Sequence, residues 1–147
     1  MVEMSPKGII EYLLNNEKLA VLATEKEGQP YTNLIAFATT EDFKKLIFVT
    51  PRFTRKYSNI LSSHNASIMI DNRSNELSDF KATKVINAMG TIKEVDKDPI
   101  LSEIYLSKNK HLHDFFYAPS SALMMMYIEK YIIATNFQNV VEINIDV

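Results

Sequence analysis

Cysteine is absent from the 147-residue sequence, which removes disulfides, thiolate metal sites and cysteine nucleophiles together. Glycine is scarce. Gly8, Gly28 and Gly90 lie far apart, so there is no glycine-rich loop of the kind that cradles nucleoside triphosphates. Nowhere do about 18 apolar residues follow one another, and the N-terminal charges have no apolar run behind them, so no membrane segment is expected and the chain reads as cytoplasmic. A formal net charge of −2 gives no global field to attract nucleic acid. No Ser/His/Asp order, paired-carboxylate signature, internal repeat or low-complexity segment is found, and hydrolase readings fall away.

What is present suits a single domain over residues 1–147, because 46% apolar residues supply a core and 23% charged residues are ordinary for a soluble chain. The most informative stretch is residues 45–63. Leu46 to Val49 favour a strand, Pro51 stops it, and Tyr57, Ile60 and Leu61 then recur at helical spacing, so the strand hands over to a helix near Thr54. Arg52, Arg55 and Lys56 cluster at that handover beside the hydroxyls of Thr50 and Thr54. A helix start exposes backbone N–H groups and the positive end of its dipole, so a phosphate could be held there without a metal. On spacing alone, a solvated surface cluster accounts for the same residues.

Ser5-Pro6 reads as a helix start, with Ile9, Ile10, Leu13 and Leu14 as one stripe and Asn15-Asn16 as its end. Residues 18–25 and 31–39 read as strands joined by a longer loop, 26–30, in which Gly28 takes positive φ and Pro30 resists the ladder. The second strand is apolar enough to be covered on both sides. Residues 45–50 follow as the third strand and 66–71 as the fourth, then a polar loop over 72–79. Residues 82–95 form a long strand in which Gly90 marks a bulge or bend. Asp98-Pro99 starts another helix with Ile100, Leu101, Ile104 and Tyr105 on one side; 108–117 continues irregularly until Pro119. Residues 123–135 and 140–145 close the chain as strands around the turn 136–139. Seven antiparallel strands and three helices indicate an α+β barrel.

This order resembles the split β-barrel of the pyridoxamine 5′-phosphate oxidase-like, FMN-binding superfamily, and the likeness spans almost the whole chain. It rests on the first helix followed by Leu19-Ala-Val-Leu-Ala-Thr24, the Gly28-Gln-Pro30 turn, and Ile47-Phe-Val-Thr-Pro-Arg-Phe-Thr-Arg-Lys56 leading into a helix. The resemblance implies an antiparallel six- to seven-stranded split barrel with flanking helices. It puts Thr50, Thr54, Arg55 and Lys56 on a flavin phosphate, with Asn33, Leu34 and Ile35 beside the ring system. It further implies a homodimer with FMN in a cleft between subunits, where the Phe137-Gln138 turn reaches the partner's flavin. The basic, histidine-containing C-terminal segment with which true pyridoxamine phosphate oxidases hold their substrate is missing, so the cofactor is inferred and the vitamin B6 reaction is not.

Three functions follow from that resemblance: a flavin-dependent oxidoreductase passing hydride or electrons to a small acceptor, a binding or sensing protein holding flavin, deazaflavin or haem, and a dimeric scaffold with an empty cleft. His111, His113 and Asp114 suggest a metal site only superficially, since alternate residues do not share one helix face; they are read as solvent-exposed. His64 is read as helix-end decoration, and all three histidines are the candidate ligands should haem bind. Met124, Met125 and Met126 are assigned to core packing.

Overall fold

The computed structural model describes residues 4–145. In chain order it contains α1 (Pro6–Asn16), β1 (Leu19–Lys26), β2 (Gln29–Thr39), β3 (Lys45–Pro51), α2 (Arg55–Ser62), β4 (Asn65–Asp71), α3 (Asp79–Ala82) and β5 (Lys84–Val95). Then come α4 (Pro99–Lys108), a 3-10 turn (Lys110–Leu112), α5 (His113–Tyr117), β6 (Ser121–Thr135) and β7 (Asn139–Asn144). The strands run in the order β3-β2-β1-β4-β5-β6-β7, all antiparallel, and β3 also pairs with β6. Six strands therefore close into a barrel and β7 is added outside it, an α+β split-barrel architecture.

Strand alternation sorts the apolar residues between two cores. Leu46 and Phe48 of β3, with Met124 and Met126 of β6, point into the barrel. Ile47, Val49, Leu123 and Met125 point outward and are covered by Tyr105 of α4 and Phe116 of α5. The three consecutive methionines thus serve both cores. Helix α1, capped by the Ser5 hydroxyl accepting from Gly8 N–H, plugs the barrel with Ile9, Ile10, Leu13 and Leu14.

At Gly90 the ladder between β5 and β6 slips by one residue, because Met89 pairs with Lys130 while Gly90 pairs with Ile128. Glu129 is the extra residue, and there β6 changes partner: it pairs with β3 through Tyr127 and with β7 from Lys130 onward. A Cβ on Gly90 would overlap the Tyr127 carbonyl, so the crossing needs glycine.

Several expectations change. The first hairpin has a two-residue turn, Glu27-Gly28, with φ of 52° and 79°, instead of a five-residue loop. Pro30 continues the ladder opposite Glu25, in the pair next to the hydrogen-bonded closing pair Lys26–Gln29. Its missing N–H therefore faces the side of β2 left unpaired before Phe37, where no donor is needed. Only the C-terminal half of β2 is covered on both faces; Thr32 and Leu34 are exposed. Two short helices are added: α3 ends the polar segment expected as a loop, with Asp79 accepting from the N–H groups of Ser74 and Asn75, and α5 follows the 3-10 turn in the stretch expected to continue irregularly. Ile100 of α4 and Leu61 of α2 face solvent despite their apolar spacing. Among the described residues no helix is long and apolar enough to cross a membrane.

Candidate functional site

Strand β3 ends at a buried corner. Thr50 is fully buried, and its Oγ1 lies 2.8 Å from the Thr54 Oγ1; both hydroxyls reach the Pro51 carbonyl, at 3.1 and 2.9 Å. Thr54 is the N-cap of α2 and its Oγ1 accepts from the Tyr57 N–H at 3.4 Å. This fixes where the helix starts. The N–H groups of Arg55 and Lys56, in its first turn, have no intrahelical acceptor and face outward along the axis.

The three basic side chains at this corner separate into different roles. Arg52 is engaged: its guanidinium reaches both Glu94 carboxylate oxygens at 2.6 and 3.4 Å and donates to the Pro119 carbonyl at 2.9 Å. Tyr57 donates to the same carboxylate at 2.7 Å, so Glu94 of β5 ties the turn and α2 together. Arg52 holds the Glu94 carboxyl below its ordinary range. Arg55 is exposed, with its guanidinium carbon 5.4 Å from the Tyr31 ring centroid. Lys56 is half-buried, and burial pushes its ammonium pKa down. Neither Arg55 nor Lys56 has a carboxylate within 4 Å among the described residues.

The second-strand residues diverge by strand parity. Ile35 points into the barrel core and is 5% exposed, whereas Leu34 lies on the outer face at 65%. Asn33 faces inward; its Nδ2 donates to the Leu34 carbonyl, but its buried Oδ1 has no donor among the described residues. A buried amide oxygen left unpaired is costly, and a ligand N–H would satisfy it.

Beside this corner runs a groove of about 740 Å3 between the first hairpin and α2, lined by Lys26, Tyr31, Phe53, Thr54, Arg55 and Ser58 among others. Sequence reasoning passed over most of this lining, since Lys26 and Tyr31 meet α2 only through the fold. Glu94 was equally hidden, lying 42 residues from Arg52. His111 and His113 are exposed, and among the described residues no three acidic or histidine side chains gather as a metal site. His64 is also exposed, its Nδ1 3.2 Å from the Ile92 carbonyl.

No curated protein matches this chain in sequence. Among solved structures, a haem-binding protein from Mycobacterium smegmatis superposes with a TM-score of 0.84 at 13% identity, over 98% of this chain and 60% of that one. The chain thus spans less than two-thirds of that relative. General Stress Protein 26 from Bacillus anthracis gives a TM-score of 0.71 at 16% identity, over 93% and 98% of the two chains. A FAD-binding protein from Mesorhizobium loti gives 0.68 at 16%, over 87% and 92%. Identities this low establish a shared barrel and no more. The sequence itself matches the family model described as pyridoxamine 5′-phosphate oxidase over residues 8–141, nearly the full length from α1 to β7. By that match the chain belongs to the pyridoxamine 5′-phosphate oxidase family.

Proposed function

We propose that this chain is an FMN-binding protein and acts as a flavin-dependent oxidoreductase. The observation that carries the reading is the start of α2, where among the described residues Arg55 and Lys56 have no carboxylate partner while their neighbour Arg52 is consumed by Glu94. A half-buried ammonium without a counter-charge is a poor structural element and a good phosphate ligand. Thr54, Arg55 and Lys56 bind the flavin phosphate, which carries roughly −1.5 to −2 charges. Thr50, buried behind Thr54, positions the cap. The Asn33 Oδ1 is an acceptor awaiting a ring N–H, and fits a flavin better than a ligand with no donor.

Bound flavin supplies hydride or electron transfer, and the protein supplies affinity and orientation. No acid or base is required of the chain, since the flavin carries the chemistry. The outer face of β1, β2 and β4 brings Leu34, Val21 and Met69 into register across three strands, and the exposed Leu34 there supports a homodimer with the cleft at its interface. A non-catalytic haem reading has the name of the Mycobacterium smegmatis relative in its favour. Against it, His64, His111 and His113 are exposed and none lines the groove beside α2.

Purified protein titrated with FMN should quench flavin fluorescence at one site per chain and shift the flavin spectrum. NADH or NADPH should then bleach the bound flavin. Binding without bleaching by any reductant removes the oxidoreductase and leaves the binding protein. A Soret band with haem and no response to FMN overturns the flavin reading.

A further inference from the structure

Strand β6 begins at Ser121, paired with Pro51 beside the start of α2, and ends at Thr135, paired with Lys84. At roughly 3.3 Å per residue its 15 residues run about 45 Å, so its two ends serve different regions of the barrel. At the Thr135 end the start of α1, the α3–β5 junction and the β6–β7 turn enclose a cavity of about 610 Å3, within the range of small-molecule sites, roughly 300–1,000 Å3. It is separate from the phosphate corner. None of its lining residues lines the groove beside α2, and neither Asn33 nor Lys56 is among them.

The lining is apolar where it meets the core and cationic elsewhere. Ile9 and Ile133 are buried, and Val141 of β7 stands across the ladder from Ile133. Val141 and Met4 are 44% and 40% exposed, so an apolar surface continues from the core into open water. Lys81 and Lys84 supply the charge. No acidic residue lines the cavity, and among the described residues neither lysine has a carboxylate within 4 Å. The β6–β7 turn beside them is held in a costly shape: Asn136 and Phe137 have φ of 52° and 61°, left-handed backbone that asparagine tolerates and phenylalanine disfavours. The Phe137 ring stacks there on Phe80 of α3 at 5.3 Å, which ties the turn to the segment carrying Lys81 and Lys84. Two unpaired cations above an apolar floor complement an amphiphilic anion, and with no arginine fork on the lining they suit a compact carboxylate head. We propose that this cavity binds an apolar acid, one carboxylate on a hydrocarbon body, with the carboxylate held by Lys81 and Lys84 and the body laid over Ile9, Ile133 and Val141. The flavin reading is not needed for this site, since the two share no residue.

Calorimetric titration of the full chain with decanoate, decan-1-ol and decylamine separates the charge from the hydrocarbon. Decanoate should bind at one site per chain, about tenfold more tightly than decan-1-ol, and decylamine should not bind. Lys84→Gln should lose about fivefold in decanoate affinity and the exposed Lys81→Gln about threefold, with decan-1-ol unchanged in both. Ala82→Trp puts a large ring on the exposed part of the lining and should abolish decanoate binding, and thermal melting checks that each variant is folded. No binding of decanoate, equal affinity for the acid and the amine, or unchanged affinity in both lysine variants overturns the site. Inorganic phosphate that displaces decanoate as well as a second carboxylate does would make this a simple anion site and overturn the apolar acid. Should Arg55→Ala weaken decanoate while the lysine variants do not, the acid sits at the phosphate corner and the cavity is overturned as its site. Decanoate binding in a protein that ignores FMN removes the flavin reading and leaves this one standing.

Discussion

Arg52 and Arg55 are three residues apart, and their surroundings give them opposite uses. Arg52 completes a structural pair, so removing it disturbs Glu94, Tyr57 and the Pro119 carbonyl before it affects any ligand. Among the described residues Arg55 has no such ion pair, and its guanidinium lies over Tyr31. A charge-assisted bond to phosphate contributes roughly 1.5–3 kcal/mol, so Arg55→Ala should weaken FMN at least about tenfold while leaving the melting temperature unchanged. Calorimetric titration alongside thermal melting measures both, and an unaltered FMN affinity would remove Arg55 from the phosphate site. Glu94 behaves oppositely. Its folded pKa lies below the ordinary 4.5, through hydrogen bonds from Arg52 first and Tyr57 next, with burial opposing. The stability this contributes is present above pH 4.5 and is lost as pH falls through the folded value. Glu94→Gln should therefore melt at a lower temperature at neutral pH and show a shallower decline on acidification below 4.5 than the parent, as read from melting curves across pH.

Among the elements, β5 and β6 carry the greatest geometric demand, because one strand must leave the barrel while staying paired. Glu129 is the extra residue that lets β6 turn from β3 to β7, and Gly90 is the bare position that lets the two backbones approach there. Gly90→Ala puts a methyl group against the Tyr127 carbonyl, which is backbone and cannot rotate away. Overpacking of this kind should cost about 3 kcal/mol in urea unfolding, and a loss well below about 1 kcal/mol would show that the ladder can shift freely. Gly90 was legible in the sequence as a break in a long apolar strand, and so were the capped starts at Ser5-Pro6 and Asp98-Pro99, since each is a local signal. The start of α2 was legible for the same reason: Thr54, Arg55 and Lys56 are consecutive. What escaped was short or distant. Helices α3 and α5, with four and five residues, are too brief to show a period. Pro30 was read as a break because its tolerance depends on β2 having an unpaired side there, and Glu94 reaches Arg52 only once β5 has been brought beside the β3–α2 turn.

For the whole molecule the two outer faces of the barrel differ in what covers them. Helices α4 and α5 bury Ile47, Val49 and Met125, whereas the outer row Leu34–Val21–Met69 lines a hollow together with Glu17, Lys18, Asp71 and Arg73. Leu34 is 65% exposed and Leu19 beside it 55%, an apolar surface that a second copy would remove from water. The same strand presents Asn33 on its inner face, so a partner docked on Leu34 would stand within one strand's thickness of the proposed ring site. Leu34→Glu should therefore convert a dimer to a monomer in light scattering. It should also weaken FMN, because the partner's wall of the cleft leaves with it. Arg55→Ala should do the reverse and lose FMN as an intact dimer. A parent protein that is monomeric at micromolar concentration, or a Leu34→Glu monomer that binds FMN as tightly as the parent, would place the complete site within one chain.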